Sequence, residues 1–386
     1  MKILINATSV ICGGGLTYLK QLLEQLARID NENDYYILVT KAKNSEFRGV
    51  EKNNFKIIES GYLKFPIVRV LWEQVGLPIF LKKNKIDLLF SPANVSPLFT
   101  PCKNVLAIQN LAPFFEEILN EKRCYQKIRI FILKILSILS VKKSDGVIFV
   151  SNYAKEIFEK KYGLSREKSY VIYHGISDLF RNKITEREAE NIKFELGIEK
   201  EYILSVSTIL YRYKNVIELI EAFSKIKDRT KNKFQLVIVG KITDKAYYND
   251  IKKIIEKYRL SDDVLLLGEI SHDKLPYLYA GSSLFVFTSS CESFGLTQIE
   301  AMASGVPVIT SNASAMPEVC REAALYFDPK NYNDIAEKML KVLQSLPCQR
   351  ELRKNGLKRA ADFSWEKTAK ETLKVFEEIY NLRKYC

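Results

Sequence analysis

The stretch Thr288-Ser-Ser-Cys-Glu-Ser-Phe-Gly-Leu-Thr-Gln-Ile-Glu-Ala-Met-Ala-Ser-Gly-Val-Pro-Val-Ile-Thr310 decides the reading of this chain. The apolar run Leu284-Phe-Val-Phe287 before it reads as a buried strand. Ser293-Phe294-Gly295 reads as a turn into a short helix carrying Glu300, and Gly305-Val-Pro307 stops that helix before a second β-branched run. A strand, a small-residue turn and a helix start aim several backbone N–H groups at one point, where the helix dipole adds roughly half a positive charge. Such a turn suits an anionic ligand such as a diphosphate. Glu292 before the turn and Glu300 within the helix put a carboxylate near each end of a bound molecule. Beside a phosphate, a carboxylate is best used to accept hydrogen bonds from sugar hydroxyls.

The alternation of strand and helix continues through both halves of the chain, which predicts a parallel α/β sheet in each. Lys2-Ile-Leu-Ile-Asn-Ala7 reads as a first strand, followed by Gly13-Gly14-Gly15 and a helix with Leu16, Leu19, Leu23 and Leu26 on one face. Glycines before a helix let the backbone approach a ligand closely, although the spacing is not the dinucleotide Gly-x-Gly-x-x-Gly. Asn104-Val-Leu-Ala-Ile108 delivers Gln109 and Asn110 at its carboxyl end, where such sheets bind ligands. Ser151 is expected to cap a helix from Tyr153. The charged stretch from about Arg181 to Glu201 reads as a linker and the start of a second domain. There Tyr202-Ile-Leu-Ser-Val206 empties into a loop holding Arg212 and Lys214, before a helix from about Val216 to Ile226. The dipole opposes a cation at a helix start, which points to an anionic partner.

These stretches resemble the retaining glycosyltransferases of the GT-B fold, in particular family 4. The resemblance rests on Glu292-Ser-Phe-Gly-Leu-Thr-Gln-Ile-Glu300 with its Gly305-Val-Pro-Val-Ile309 tail. Gly13-Gly14-Gly15-Leu16-Thr17-Tyr18, Trp72-Glu73-Gln74, Lys214-Asn215, Pro317-Glu318-Val319 and Phe327-Asp328-Pro329 add to it, so that it runs from Ile3 to the last helix. It implies an α/β chain of two Rossmann-like domains whose parallel sheets face each other across a cleft. The acceptor-side domain would span 1–180, completed by a C-terminal helix over 366–386, and the nucleotide-sugar-binding domain 181–365.

By the same resemblance, Lys214 binds the donor diphosphate and Arg212 stands in for a neighbouring arginine, a slot for which Thr208 is the other candidate. Ser293, Phe294, Gly295, Leu296 and Thr297 hold the phosphates, Glu300 accepts the ribose hydroxyls, and Gly14 and Gly15 face the cleft. Glu292 contacts sugar hydroxyls and steadies positive charge at the anomeric carbon. Many relatives carry His-Asp where this chain has Gln109-Asn110, whose amides can still bond a sugar hydroxyl. Relatives place Asn-Gly where His174-Gly175 stands, and a structural role is expected for His174. Ile270, after the Val264–Gly268 strand, is the candidate contact to the nucleotide base.

At 386 residues, 47% hydrophobic and 27% charged, the composition is that of a soluble globular protein with room for two cores. No stretch reaches the ~20 apolar residues of a membrane span, and the first apolar run is too short for a signal peptide. The seven scattered cysteines, Cys12 and Cys386 among them, include no Cys-x-x-Cys and fit reduced cytoplasmic thiols. Two histidines leave no Ser-His-Asp arrangement, and no Asp-x-Asp pair offers a divalent ion. Metal-independent chemistry is therefore expected, with no cofactor beyond the donor substrate.

The net charge of +13, from 59 Lys and Arg against 46 Asp and Glu, favours anionic partners. No nucleic-acid module is visible. Residues 122–143 hold Lys122, Arg123, Lys127, Arg129, Lys134, Lys142 and Lys143 with no acid, interleaved with apolar runs around Phe131 and Ile135. An interfacial helix touching an anionic membrane has this composition; so does a core helix with solvated basic ends.

The resemblance implies transfer of a hexose-type sugar, with retention, from a UDP- or GDP-sugar to the hydroxyl of a glycan or lipid-linked acceptor. The setting implied is cell-surface polysaccharide synthesis, such as O-antigen or capsule, in the cytoplasm at the inner face of the plasma membrane. The other reading is a non-catalytic nucleotide-sugar-binding or membrane scaffold protein on the same fold.

Overall fold

The computed structural model describes residues 1–10, 13–50, 52, 54–60, 66–115, 118 and 124–382. Cys12, Cys386, Lys122 and Arg123, and positions 383–386 of the expected last helix, lie outside them. The chain divides into two units, Met1–Gly175 with Ser364–Cys386, and Ile176–Phe363.

The first unit is built on a seven-stranded sheet, β1 (Lys2–Asn6), β2 (Asp34–Thr40), β3 (Phe55–Ser60), β4 (Leu88–Ser91), β5 (Lys103–Ile108), β6 (Gly146–Phe149) and β7 (Ser169–Val171). The order is β3-β2-β1-β4-β5-β6-β7 and every ladder is parallel. Ile3, Leu4 and Ile5 are all fully buried, as a strand covered on both faces requires. Parallel crossovers are right-handed, so the Gly14–Ile29 helix, which leads outward from β1 to β2, lies on one face of the sheet. The Pro66–Lys83 stretch joins β3 to β4 and the Cys124–Lys143 helix joins β5 to β6 in the opposite direction, which puts both on the other face.

Trp365–Asn381 packs beside Gly14–Ile29, with Phe376 meeting Phe90 of β4 at 5.1 Å. Ser364 caps that last helix by accepting from Lys367 N, and Ser151 caps Asn152–Tyr162 as expected, accepting from Ala154 N. Trp72 and Leu77 serve the core beneath Pro66–Lys83, in a helix that makes one π turn over Trp72–Gly76.

In the second unit β8 (Glu201–Ile209), β9 (Phe234–Lys241), β10 (Val264–Gly268), β11 (Leu284–Phe287), β12 (Val308–Ser311) and β13 (Ala324–Phe327) form a sheet of order β10-β9-β8-β11-β12-β13. All its ladders are parallel. The strand order reverses between β8 and β11. The loop with Lys214 follows β8 and the loop with Glu292 follows β11, so both leave the sheet at a topological switch point.

The stretch after Arg181 is not a linker. Thr185 and Glu188 form a capping box that starts a helix over Glu186–Glu195. Arg181 donates to Ala360 O at 3.0 Å and Phe363 O at 2.7 Å, and Phe180 packs edge-on against His272 and Tyr279. Residues 176–180 therefore belong to the second unit, and the division falls a few residues before the expected boundary. Ser364 and Trp365 belong to the first unit, where Trp365 lies buried against His174 at 5.7 Å.

Gly175 marks the tightest approach of that last helix, since a Cβ there would stand 2.1 Å from Trp365 N. A Cβ at Gly15 would meet nothing within 4 Å. Gly175→Ala is expected to lose about 2–3 kcal/mol in urea unfolding, by forcing backbone apart. Gly15→Ala should lose nothing, and equal midpoints for the two variants would contradict this account of the packing.

Candidate functional site

The loops after β8 and β11 are knitted together by short polar side chains. Asn215 takes a left-handed backbone (φ 52°), and its Nδ2 donates to Thr288 O at 2.8 Å and to Ser290 Oγ at 2.6 Å. Thr288 Oγ1 donates to Lys214 O, Ser290 N to Tyr213 O, and Glu292 N to Ser314 Oγ. This lattice holds Lys214 Nζ in an ion pair with Glu292 Oε1, both side chains being mostly buried. The ammonium also lies 5.2 Å from the Phe287 ring and 5.3 Å from the Tyr213 ring, where the π faces partly replace its lost hydration.

The helix Leu296–Ala303 begins just past Glu292. Its N-cap is Gly295 with φ 119°, a backbone conformation that requires glycine. No side chain caps this end. The amides of its first turn, Leu296 and Thr297 among them, have no partner within the helix. The Phe294 ring is buried against Phe363 at 5.6 Å, which leaves its backbone as the part that can meet a ligand.

Glu300 sits one turn on, buried, with Oε2 accepting from Tyr279 Oη at 2.9 Å and His272 Nε2 4.0 Å from Oε1. Burial pushes its carboxyl up to about 7, against the opposing effect of the Tyr279 hydrogen bond. Arg212 is held by Asp250, Nη2 to Oδ2 at 2.7 Å, with its guanidinium 5.0 Å over the Tyr247 ring. Thr208 lies exposed near the end of β8, and Ile270 half-buried beyond β10.

Gly14, Gly15, Gln109 and Asn110 belong to the first unit. Gly14 and Gly15 open the helix after β1, with Gly13 as N-cap at φ 67°. The amides of Gln109 and Asn110 both donate to Asn94 Oδ1, which fixes the turn after β5. Gln109 Oε1 is bonded to His174 Nε2 at 2.9 Å. His174 stacks on Tyr18, the aromatic at the end of the glycine loop, with ring centroids 5.0 Å apart. Burial pushes the His174 pKa down to about 3, so this histidine is neutral across the physiological range.

Sequence reasoning missed the residues that position the named ones. For Asn215 the available signal is its type, since an Asn before a helix tolerates a left-handed backbone better than most residues. Asp250, Tyr279, His272 and Ser314 reach their partners over long sequence separations and carry no local signal. Among the described residues no group of three or more His, Cys, Asp or Glu is placed to hold a metal ion.

Two parallel sheets, with an uncapped helix start and a buried lysine at the switch point of the second, define a Rossmann-like α/β protein. Residues 12–178 match the model of glycosyltransferase family 4, and residues 188–359 that of the glycosyl transferases group 1. The chain belongs to this GT-B family of glycosyltransferases.

The O-antigen chain mannosyltransferase B of Escherichia coli is 32% identical over 177 residues, 46% of this chain and 45% of that protein. A serotype-specific mannosyltransferase of Escherichia coli is 28% identical over 285 residues, 72% of this chain and 34% of the relative. The chain thus spans less than half the length of both relatives. Among solved structures, the Anabaena protein HepE in complex with UDP and glucose matches with a TM-score of 0.77 at 18% identity, over 98% of this chain and 100% of that one. At that identity the likeness shows the fold.

The buried Glu300 carboxyl makes stability depend on pH. Its pKa is raised on folding, from 4.5 to about 7, so the stability it allows is fully present below pH 4.5 and is lost as the pH rises through about 7. The loss should reach at most about 3 kcal/mol. Urea unfolding on either side of this window should show the fall in the wild type and a flatter profile in Glu300→Gln. Parallel profiles would contradict the assignment.

Proposed function

We propose that the chain transfers a hexose-type sugar from a nucleotide-diphosphate sugar to an acceptor hydroxyl, with retention at the anomeric carbon, in the assembly of a cell-surface polysaccharide. The observation that carries this reading is Lys214, buried against Glu292 beside an uncapped helix start. A diphosphate entering there would take over the lysine's charge and release Glu292 toward sugar hydroxyls. The bond between the anomeric carbon and the phosphate oxygen breaks while the acceptor oxygen bonds that carbon from the same face. The electron pair stays on the diphosphate, where Lys214 and the first-turn amides stabilise it at commonly ~3–4 kcal/mol for each such donor.

The acceptor's proton passes to the leaving phosphate oxygen, so no protein base is needed. Glu300, steadied by Tyr279, accepts the ribose hydroxyls. Arg212 joins the clamp once it exchanges Asp250 for phosphate, which makes the clamp cationic without a metal. In the first unit the Gln109 and Asn110 amides suit sugar hydroxyls, and the open space beside Gly15 suits a ligand's close approach.

The mannosyltransferase relatives favour mannose as the sugar and an O-antigen-like glycan, lipid-linked, as the acceptor. The UDP and glucose held by the Anabaena neighbour favour a UDP- or GDP-sugar donor.

A thermal-shift screen with UDP, GDP, ADP, dTDP and CMP tests the donor site. A ligand at 100 times its dissociation constant adds ~2.7 kcal/mol of stability. One diphosphate should shift the wild type and leave Lys214→Ala unmoved; a wild type that none of them shifts overturns the reading. With the donor so identified, Glu292→Gln should lose about a hundredfold or more in turnover while its unfolding midpoint stays close to wild type. Near-normal turnover would remove Glu292 from the chemistry.

A further inference from the structure

The carboxyl end of β5 carries a side chain whose two polar atoms have different fates. Gln109 Oε1 meets His174 Nε2 at 2.9 Å, while Gln109 Nε2 is buried and has no hydrogen-bond partner among the described residues. Native structures seldom leave a buried donor unmet, because nothing then replaces its lost hydration. The turn behind the side chain is fixed. Gln109 N and Asn110 N both donate to Asn94 Oδ1, at 2.8 Å and 3.1 Å, and Asn94 itself takes a left-handed backbone at φ 58°. An unmet donor at the carboxyl end of a parallel strand stands where such sheets bind their ligands.

His174 is held firmly as well. Its ring stacks on Tyr18 with centroids 5.0 Å apart and lies 5.7 Å from the Trp365 ring, and all three side chains are buried. Thr368 Oγ1 donates to Tyr173 O at 2.8 Å, and Gly175 lies against the backbone of Trp365, so the residues on either side of His174 are pinned to the last helix. A neutral imidazole carries one N–H, and an amide oxygen only accepts. The bond to Gln109 Oε1 therefore puts the proton on His174 Nε2. Burial, which pushes the pKa down to about 3, keeps the ring in that neutral form. A glutamine amide is nearly symmetric in shape, so either of its ends can face a ligand when nothing selects one. Here the His174 N–H selects the oxygen, and the –NH2 is the end left over.

We propose that His174 is a positioning residue for the sugar site: by holding the Gln109 carbonyl it commits the Gln109 –NH2 to donate to an oxygen lone pair of the sugar being transferred. This role deepens the sugar-transfer reading and rests on it. It gives the sugar an accepting oxygen at this point, a hydroxyl or the ring oxygen, and it gives His174 a task other than filling the core. The imidazole itself touches no substrate and moves no proton. A phenyl ring would stack on Tyr18 as well, but it could not choose between the two ends of the amide.

Release of nucleoside diphosphate from GDP-mannose and UDP-glucose, with water as the acceptor, tests it. On the donor that the wild type turns over, His174→Phe should lose about tenfold in kcat/KM, the weight of one hydrogen bond. Gln109→Ala should lose at least as much, and His174→Phe/Gln109→Ala no more than Gln109→Ala alone, because the histidine acts only through the glutamine. Gln109→Glu leaves the aromatic cluster untouched, keeps an oxygen for His174 and puts a second oxygen where the –NH2 stood; it should lose as much as Gln109→Ala. The thermal shift by UDP or GDP reads Lys214 in the other unit and should keep its wild-type size in every variant. Wild-type kcat/KM in His174→Phe or in Gln109→Glu, or additive losses in the double variant, overturns the proposal. Spectra of 15N-labelled histidine test the bond without turnover, the chain's two imidazoles being told apart by His174→Phe. His174 should stay neutral with its proton on Nε2 down to about pH 4, and Gln109→Ala should move its resonances. A His174 ring that titrates near its ordinary value of about 6.5, or carries its proton on Nδ1, also overturns the proposal. A wild type that neither diphosphate shifts and that releases none is the failure of the sugar-transfer reading and removes this role with it. A wild type that does both, beside an indifferent His174→Phe, is the failure of this role alone.

Discussion

The ion pair between Lys214 and Glu292 is the constraint around which the loops after β8 and β11 are built. Each group has been taken largely out of water, and a buried charge is tolerable only against an opposite charge or a set of hydrogen bonds. The surrounding structure reads as the means of keeping them matched. Asn215 adopts a left-handed backbone so that one amide can span two loops, and Thr288 and Ser290 return bonds to the same neighbourhood. Because β8 and β11 are adjacent strands that launch helices in opposite directions, their loops part at this point and leave the pair reachable. The strand order thus creates the opening, and the polar lattice decides what charge stands in it.

The first unit answers a different constraint, that of a buried imidazole. Burial makes His174 neutral. It can then stack on Tyr18 and bond Gln109 without the cost of a buried charge. Trp365 completes the cluster because Gly175 lacks the Cβ that would block the start of the last helix. The helix after β1, a strand end of β5 and a helix from the far end of the chain are fixed by one neutral ring.

Legibility in the sequence follows sequence separation. Glu292, Gly295 and Glu300 lie in one strand–turn–helix run, so turn chemistry and helix period expose them together. Lys214 was visible for the same reason, as a cation at a helix start. Its partner in Glu292 lies 78 residues away, and no periodicity links them. Arg212 shows the cost of that gap: its type suits a diphosphate, but Asp250 holds it, 38 residues away on a helix whose pattern gives no hint of the pairing. The Arg181–Glu201 stretch lies in the second unit, and its helix is hidden in the sequence for another reason. Its charge density outweighed the Thr185 and Glu188 spacing that writes a capping box. β13 went unread because Ala324-Leu-Tyr-Phe327 is short and ends in turn punctuation.

The two glutamates of the decisive stretch end with opposite electrostatics although they share one loop and helix. Glu292 is paired with a lysine, whereas Glu300 faces a phenol, a histidine ring and burial that raises its pKa. Two carboxylates in such different surroundings are suited to different tasks. A group already matched by a cation gains most from a ligand that displaces that cation, which describes an anion arriving at Lys214. A buried carboxyl with a single hydroxyl donor gains most from further hydroxyl donors, which favour its ionised form and replace lost hydration. The division of labour proposed between diphosphate and sugar hydroxyls is the one that solvation favours.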